Sequence, residues 1–274
     1  MTDLTHRDTH FAFGANWANF ASAIDEDRIR EAVNSLRDLV GGDLEGQSFF
    51  DIGCGSGLSA LAALRLGVAR LRVCDLDETA VATTRALLDR HARDAAWSAD
   101  VASVFDLAPH RDGVYDVVHS WGVLIPYGGH GQGHPHGRCA RRAAGALRAL
   151  AIYQRTPACG FWRWGKRLYS QAPAWLAVGL RGLYKTAFYA AFIARRHNPW
   201  RYIAAYQRNR GMRWSNDVHD WLGGYPYESA TIEDLDTLMM NLGFKRERLL
   251  PVARNHGWLG SWCNQYVYRR LSPS

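Results

Sequence analysis

Short apolar runs alternate with amphipathic stretches along much of this chain. Short apolar runs bounded by glycine or polar residues are typical of buried strands, and apolar positions three or four residues apart are typical of one helix face. The pattern predicts helices over residues 25–40, 58–66, 77–90 and 231–241 and strands over 48–52, 71–75, 115–119, 249–252 and 266–270. Because strands and helices alternate, we expect a doubly wound α/β fold with a mostly parallel sheet.

A glycine-rich turn joins the first predicted strand to the helix that follows it. Gly53, Gly55 and Gly57 occupy alternate positions there, and Asp51 precedes them. Such a turn lets a ligand lie against bare main chain, and the helix start offers free N–H groups. Asp75 ends the second strand, where α/β folds present a carboxylate to a ribose. The spacing G-x-G-x-G differs from the dinucleotide pattern G-x-G-x-x-G, which argues against a nicotinamide oxidoreductase.

Together these motifs resemble those of class I S-adenosylmethionine-dependent methyltransferases, over about residues 49–124. A looser likeness to bacterial quinone-hydroxyl methylases continues to the C-terminus. The resemblance implies a seven-stranded Rossmann-like sheet that ends in an antiparallel hairpin, a fifth strand near residues 149–153 and a helical cap insert after it. It also implies S-adenosyl-L-methionine as the cofactor. The residues it implies as cofactor-binding are Asp51, Gly53, Cys54, Gly55, Gly57, Asp75, Leu76, Ser103, Val104 and Ser120.

Length and composition are those of a single domain. The chain has 274 residues, 47% of them hydrophobic, so it can bury a sizeable core. We expect a cofactor-binding core over 45–155, a basic and aromatic cap over 156–215 and the rest of the core over 216–274. No secretory signal pattern opens the chain, no apolar run of about 18 residues lacks charge, and the five cysteines are scattered. These features predict a cytoplasmic protein, with peripheral membrane contact as an extension of that prediction.

Charge is distributed unevenly along the chain. Residues 117–216 contain 16 Lys or Arg and no Asp or Glu, which leaves 17 basic and 26 acidic residues elsewhere, a net charge of −9 there. A basic amphipathic helix with aromatic residues can lie in an anionic membrane interface. The predicted partners are therefore an amphiphilic small-molecule acceptor and an anionic membrane. The alternatives are a solvated basic face or an apolar face packed on the core. No RNA-binding module is evident, so no nucleic-acid partner is expected.

Residues 125–150 do not fit the family pattern. His130, His134, His136 and Cys139 could ligate zinc, but no second cluster pairs with them and no element fixes their geometry, so a surface loop is the preferred interpretation. No metal site is therefore predicted. A third hypothesis starts from relatives, which continue this motif as Leu-His-His-Thr-Gly-Asp-Met. A one-nucleotide shift of the reading frame permits most of that text here, so the segment would be a compensated frameshift that removes the relatives' histidine.

Aromatic residues crowd the stretch from Phe11 to Phe20. They either fold over the mouth of the cofactor site or simply pack on the core. Both interpretations stay open from the sequence alone.

The stretch from Trp214 to Glu228 holds the candidate catalytic residues. His219 with Asp217 or Asp220 could form a general base with an orienting carboxylate, which would take a proton from an acceptor hydroxyl. The alternative is a turn with structural Trp and Tyr packing. The predicted function is an S-adenosylmethionine-dependent methyltransferase that O-methylates a hydroxyl of an amphiphilic or aromatic small molecule. N- or C-methylation, or cofactor binding without catalysis, are the alternatives.

Overall fold

The computed structural model of the chain describes residues 17, 21, 24–104, 106–122, 144–210, 214–225, 227–251 and 263–271. The helices are α1 (Glu26–Val40), α2 (Leu58–Arg65), α3 (Glu78–His91), α4 (Pro109–Asp112), α5 (Cys159–Gln171), α6 (Ala174–Ala194), α7 (Pro199–Arg210), α8 (Trp214–Gly223) and α9 (Ile232–Asn241). The strands are β1 (Ser48–Ile52), β2 (Arg70–Asp75), β3 (Trp97–Val101), β4 (Val114–Trp121), β5 (Ala144–Tyr153), β6 (Phe244–Leu250) and β7 (Cys263–Arg270).

The seven described strands form one sheet in the order β3-β2-β1-β4-β5-β7-β6. Strands β1 to β5 pair in parallel, and β7 pairs antiparallel with both β5 and β6. This confirms the predicted doubly wound, mostly parallel seven-stranded sheet with a terminal hairpin. The chain leaves β1 towards β2 on one side and reaches β4 on the other. Ligands of such sheets bind at this switch point, outside the carboxyl ends of the strands.

Capping residues set the ends of the predicted helices. Asp25 precedes α1, where its side chain accepts a hydrogen bond from the Arg28 N–H at 2.9 Å, and Gly41 ends that helix with φ of 90°. Thr231 caps α9 in the same way, accepting from the Asp234 N–H at 3.0 Å. Sequence and structure agree closely wherever a cap and an apolar face coincide.

Several elements differ from the sequence prediction. Strands β5 and β7 begin at Ala144 and Cys263, before the predicted 149 and 266. Strand β6 begins at Phe244, five residues before the predicted 249. The sequence did not indicate these early residues as a strand because most of them are charged. They are part of a strand because β6 is at the edge of the sheet and pairs only with β7. Helix α8 occupies the region where a turn was the alternative, and it buries Trp214, Val218 and Leu222 on one side. Tertiary packing, rather than the local sequence pattern, determines where β6 and α8 lie.

The core has three parts. Side chains on alternate positions of the strands pack against α1–α3 on one face of the sheet and against α9 on the other, as Phe49 and Phe50 illustrate. A third cluster joins α5–α8 to the end of β5, through aromatic residues that include Tyr153 and Tyr227.

In the described part of the chain no helix is long and apolar enough to cross a membrane.

Candidate functional site

The glycine turn between β1 and α2 has a backbone that other residues rarely adopt. Gly53, Gly55 and Gly57 have φ of 80°, 54° and 80°, all in the left-handed region. The Gly53 N–H donates to the Cys74 carbonyl at 2.8 Å, which ties the turn to β2. Gly57, which has no side chain, occupies the N-cap of α2. The turn therefore presents main chain and the N–H groups of a helix start to any ligand above it.

Asp75 connects the glycine turn to the next helix. Its two carboxylate oxygens accept the N–H groups of Gly55 and Asp77, each at 3.0 Å. Burial raises the pKa of Asp75, and the N–H donors of Asp77 and Gly55 oppose that rise. Because each carboxylate oxygen has a further acceptor position, Asp75 can also accept hydroxyl groups such as those of a ribose.

The Asp51 side chain contacts His119, a residue that the sequence pattern places in the fourth strand but for which it indicates no role. The parallel register of β1 and β4 sets Asp51 opposite His119, and the Oδ1–Nδ1 distance is 2.7 Å. Both side chains are almost fully buried, and the His119 ring stacks on Phe49 with 5.8 Å between ring centres. The contact between Asp51 and His119 could have been predicted from the pairing of the first and fourth strands, which places the two residues side by side.

Ser120 and Cys54 are buried beneath the turn. The Ser120 hydroxyl donates to the Ile52 carbonyl at 3.1 Å, so it helps to join β4 to β1. Burial raises the pKa of the Cys54 thiol well above its usual value, and the Thr84 hydroxyl donates to its sulfur at 3.3 Å. Both side chains fix the shape of the turn from below.

The other predicted cofactor residues lie in loops at the same end of the sheet. Leu76 follows β2, and Ser103 and Val104 follow β3. Asp75 pairs with Val101 in the register of these strands, so the two loops start side by side. The structure thus brings Leu76, Ser103 and Val104 to the carboxyl edge that carries the glycine turn.

Trp17 gives the aromatic N-terminal stretch a position on the turn. A Cβ added to Gly55 would lie 3.1 Å from the Trp17 ring, so the indole and the turn are in contact. Most of residues 11–20 lie outside the described part of the chain, as do residues 123–143, which hold the candidate zinc ligands. Residues 144–150, the end of the proposed frameshifted segment, form part of β5.

The candidate catalytic residues lie on α8, in the third cluster. His219 Nδ1 is 2.6 Å from the Tyr169 hydroxyl, and the Asp217 carboxylate accepts a hydrogen bond from Tyr206. The sequence predicted Asp217 or Asp220 as the orienting group of His219, and the structure places the Tyr169 hydroxyl within hydrogen-bond distance of its Nδ1. Burial, followed by the charge of Arg181, lowers the pKa of His219, which favours the neutral imidazole.

Comparisons with known proteins show which proteins this chain resembles. The model of the ribosomal protein L11 methyltransferase family matches residues 32–118. The enzyme of that name from Pectobacterium carotovorum is 50% identical over 50 residues, which are 18% of this chain and 17% of the relative. The chain thus spans about a sixth of the length of this relative.

Two solved structures resemble the whole fold. Magnesium protoporphyrin IX methyltransferase from Synechocystis, with bound S-adenosylhomocysteine, has a TM-score of 0.50 at 16% identity and covers 90% of this chain and 88% of its own. The 1,6-didemethyltoxoflavin-N1-methyltransferase of Burkholderia thailandensis, also with S-adenosylhomocysteine, has a TM-score of 0.50 at 14% identity and covers 90% of this chain and 80% of its own.

These comparisons correct the predicted partners. The named sequence relatives are methyltransferases of a ribosomal protein, so the prediction of a small-molecule acceptor was wrong on this evidence. Nothing in the matches supports contact with an anionic membrane, and that prediction is withdrawn as well.

The predicted enzyme class and cofactor agree with the comparisons. The matched family and both solved structures are named methyltransferases, and both structures contain S-adenosylhomocysteine. The narrower likeness to quinone-hydroxyl methylases is not confirmed by them. This chain has the fold of the class I S-adenosylmethionine-dependent methyltransferases.

Proposed function

We propose that this chain binds S-adenosyl-L-methionine on the glycine turn and transfers its methyl group to an acceptor. The observation that carries the proposal is the glycine turn itself: Gly53, Gly55 and Gly57 all have positive φ, and the Gly55 N–H binds the carboxylate of Asp75. This arrangement lies at the switch point of a sheet with the strand order of the methyltransferase fold.

The residues present fit such a cofactor. A side chain at Gly57 would come within 2.9 Å of Thr84, so the turn is closed from below, and its main chain is left to contact a ligand. The N–H groups at the start of α2 suit the carboxylate of the methionine end, and Asp75 suits the ribose hydroxyls. Ser103 and Val104 are the proposed neighbours of the adenine. When bound, the cofactor supplies a methyl group that its sulfonium makes electrophilic.

Asp51 contributes a fixed carboxylate beside the turn. His119 holds it at 2.7 Å, and both side chains are buried, so the orientation of the carboxylate is set by the register of β1 and β4. A carboxylate at this position favours a cationic ligand. We assign Asp51 a positioning role for the cofactor.

On the acceptor side we propose His219 as the group that removes a proton from a hydroxyl. Its lowered pKa favours the unprotonated form, and the Tyr169 hydroxyl at 2.6 Å orients the ring. A base of this kind suits O-methylation, because an oxygen nucleophile must lose its proton as the new bond forms. Asp217, which accepts a hydrogen bond from the Tyr206 hydroxyl, would help to hold α8 in place.

Calorimetric titration with S-adenosyl-L-methionine tests the cofactor site. We expect Asp75→Asn to weaken binding about 10- to 100-fold, since a hydrogen bond to a charged group contributes about 1.5–3 kcal/mol. Asp116→Asn is the matched control, because Asp116 accepts the Ser48 N–H at 2.8 Å near the opposite, amino end of β4. Equal affinity of wild type and Asp75→Asn would contradict the assignment.

Methyl transfer is measured separately with cofactor that carries a labelled methyl group. The acceptor source is a cell extract that has been split into protein and low-molecular-weight fractions. Label in an ester or ether product supports O-methylation. Label on nitrogen or carbon would instead make the chain an N- or C-methyltransferase. Binding without transfer to either fraction would make the chain a cofactor-binding protein.

A further inference from the structure

Helix α6 exposes an apolar side that its packing does not require. The helix has 21 residues and none of them is fully buried. Trp175, Val178, Leu183 and Ile193 are 75%, 57%, 68% and 55% exposed, and we call these four residues the α6 stripe. At 3.6 residues per turn they lie on one side of the helix. The other exposed positions between them are small or uncharged: Gly179, Gly182, Thr186, Ala187, Ala190 and Ala191.

The opposite side of α6 is already packed. Phe188 contacts Trp214 with 5.0 Å between ring centres, and Phe192 contacts Tyr202 at 4.9 Å. These aromatic contacts fix the rotation of α6 about its axis, so the stripe faces outward as part of the folded protein. Exposed apolar patches of this kind mark interaction surfaces in soluble domains.

Positive charge is concentrated in the part of the chain that holds the stripe. Residues 157–213 contain eleven Lys or Arg and no Asp or Glu. Arg181 and Lys185 lie half-buried on α6, and Arg195 and Arg196 are exposed directly after its last turn. An occupant of the stripe therefore needs an apolar side and negative charge towards the end that meets Arg195 and Arg196.

We propose that the α6 stripe is a docking surface for an acidic protein segment, an amphipathic helix whose apolar side covers the stripe and whose carboxylates meet Arg195 and Arg196. The stripe extends about 30 Å, the length of a helix of about 20 residues. A partner helix of this size laid in a groove or along a helix face is a common recognition mode. The proposal adds a binding partner to the proposed function and does not depend on it.

Charge argues against two other occupants. A second copy of this chain packed through α6 would offer no carboxylate from residues 157–213 to pair with Arg195 and Arg196. A nucleic acid binds chiefly through its phosphates, which gain nothing from contact with the four apolar side chains of the stripe. An acidic amphipathic segment matches both the apolar stripe and the arginines at its end.

Two labelled synthetic helices serve as probes. Both have the same leucine and alanine side, and their remaining positions carry Glu in one and Lys in the other. We expect the Glu helix to bind the full chain at least about tenfold more tightly than the Lys helix at low ionic strength, by fluorescence anisotropy. Equal binding of the two helices would overturn the proposal.

Variants with matched controls locate the binding. Leu183→Asp and the double reversal Arg195→Glu/Arg196→Glu should each weaken binding of the Glu helix about tenfold or more. Met240→Asp, at an apolar α9 position that is 51% exposed, and Arg90→Glu/Arg93→Glu, at two exposed arginines elsewhere, should not. Circular dichroism checks that every variant is folded. Equal effects of the stripe variants and their controls would overturn the proposal.

Three further results would also overturn it. One is a dimer in sedimentation that Leu183→Asp dissociates. Another is partition of the chain onto phosphatidylglycerol vesicles that depends on Leu183 while the Glu helix does not bind. The third is binding of a single-stranded RNA that competes with the Glu helix for the same face.

Discussion

Gly57 is the position where the shape of the glycine turn can be tested most sharply. Its φ is 80°, and a Cβ there would lie 2.9 Å from Cγ2 and Oγ1 of Thr84 and 3.0 Å from its Cα. Thr84 is fully buried, and its hydroxyl donates to the Cys54 sulfur and the Gly55 carbonyl. Because the nearest backbone atom belongs to α3, the clash cannot be relieved by rotating one side chain.

The expected loss for Gly57→Ala has two parts. A non-glycine residue in the left-handed region costs about 1–2 kcal/mol, and overpacking a tight core site adds about 1–3 kcal/mol. Gly243→Ala is the matched control, because Gly243 has φ of 79° and no atom within 4 Å of its added Cβ. It should lose only the first part. Any entropic gain from alanine in the unfolded chain is common to both variants.

Urea unfolding of both variants measures the difference. We expect Gly57→Ala to lower the free energy of unfolding by about 1–3 kcal/mol more than Gly243→Ala, with the m-value unchanged. Adding Thr84→Ala should recover part of this difference, because two of the crowding atoms are removed and the sites are coupled. Equal losses for Gly57→Ala and Gly243→Ala would refute the argument that Thr84 closes the turn from below.

Two further predictions concern buried titratable groups. His219→Ala should lower turnover about 10²- to 10⁴-fold at unchanged cofactor affinity, with the exposed His197→Ala as control; full turnover would remove His219 as the base. Burial lowers the pKa of Lys166 to about 7 from 10.5. The unfolded chain then binds more protons between these pH values, so stability should rise with pH there by up to about 1.4 kcal/mol per pH unit. Lys166→Met should abolish that slope in urea titrations, and an unchanged slope would contradict it.

The sequence allowed the cofactor half to be predicted because its signals are local. The glycines, the apolar strand runs and the caps Asp25, Asp77 and Thr231 each act within a few residues. These signals placed β1, α1 and α9 within a residue or so of their observed ends. The seven-stranded sheet and its terminal antiparallel hairpin then followed from the resemblance to a known fold, and the structure agrees with both.

Long-range contacts explain what the sequence did not predict. The hydrogen bond between His119 and Asp51 joins residues that are 68 positions apart, and nothing in the local pattern of β4 selects that histidine. Tyr169 and His219 are 50 positions apart and meet only because α5 packs on α8. The contact between His219 and Tyr169 therefore leaves no signal in the local sequence around either residue.

The end of the family match separates the proposed cofactor site from the proposed catalytic base. The matched segment ends at residue 118, so it contains the glycine turn and Asp75, whereas α5–α8 with His219 begin after it at Cys159. If the assignments are correct, substitutions divide at that boundary. Asp75→Asn changes cofactor affinity, and His219→Ala changes turnover while the cofactor still binds. A His219 variant that also lost the cofactor would place α8 in the cofactor site, and the acceptor would then have to be sought elsewhere on the carboxyl edge of the sheet.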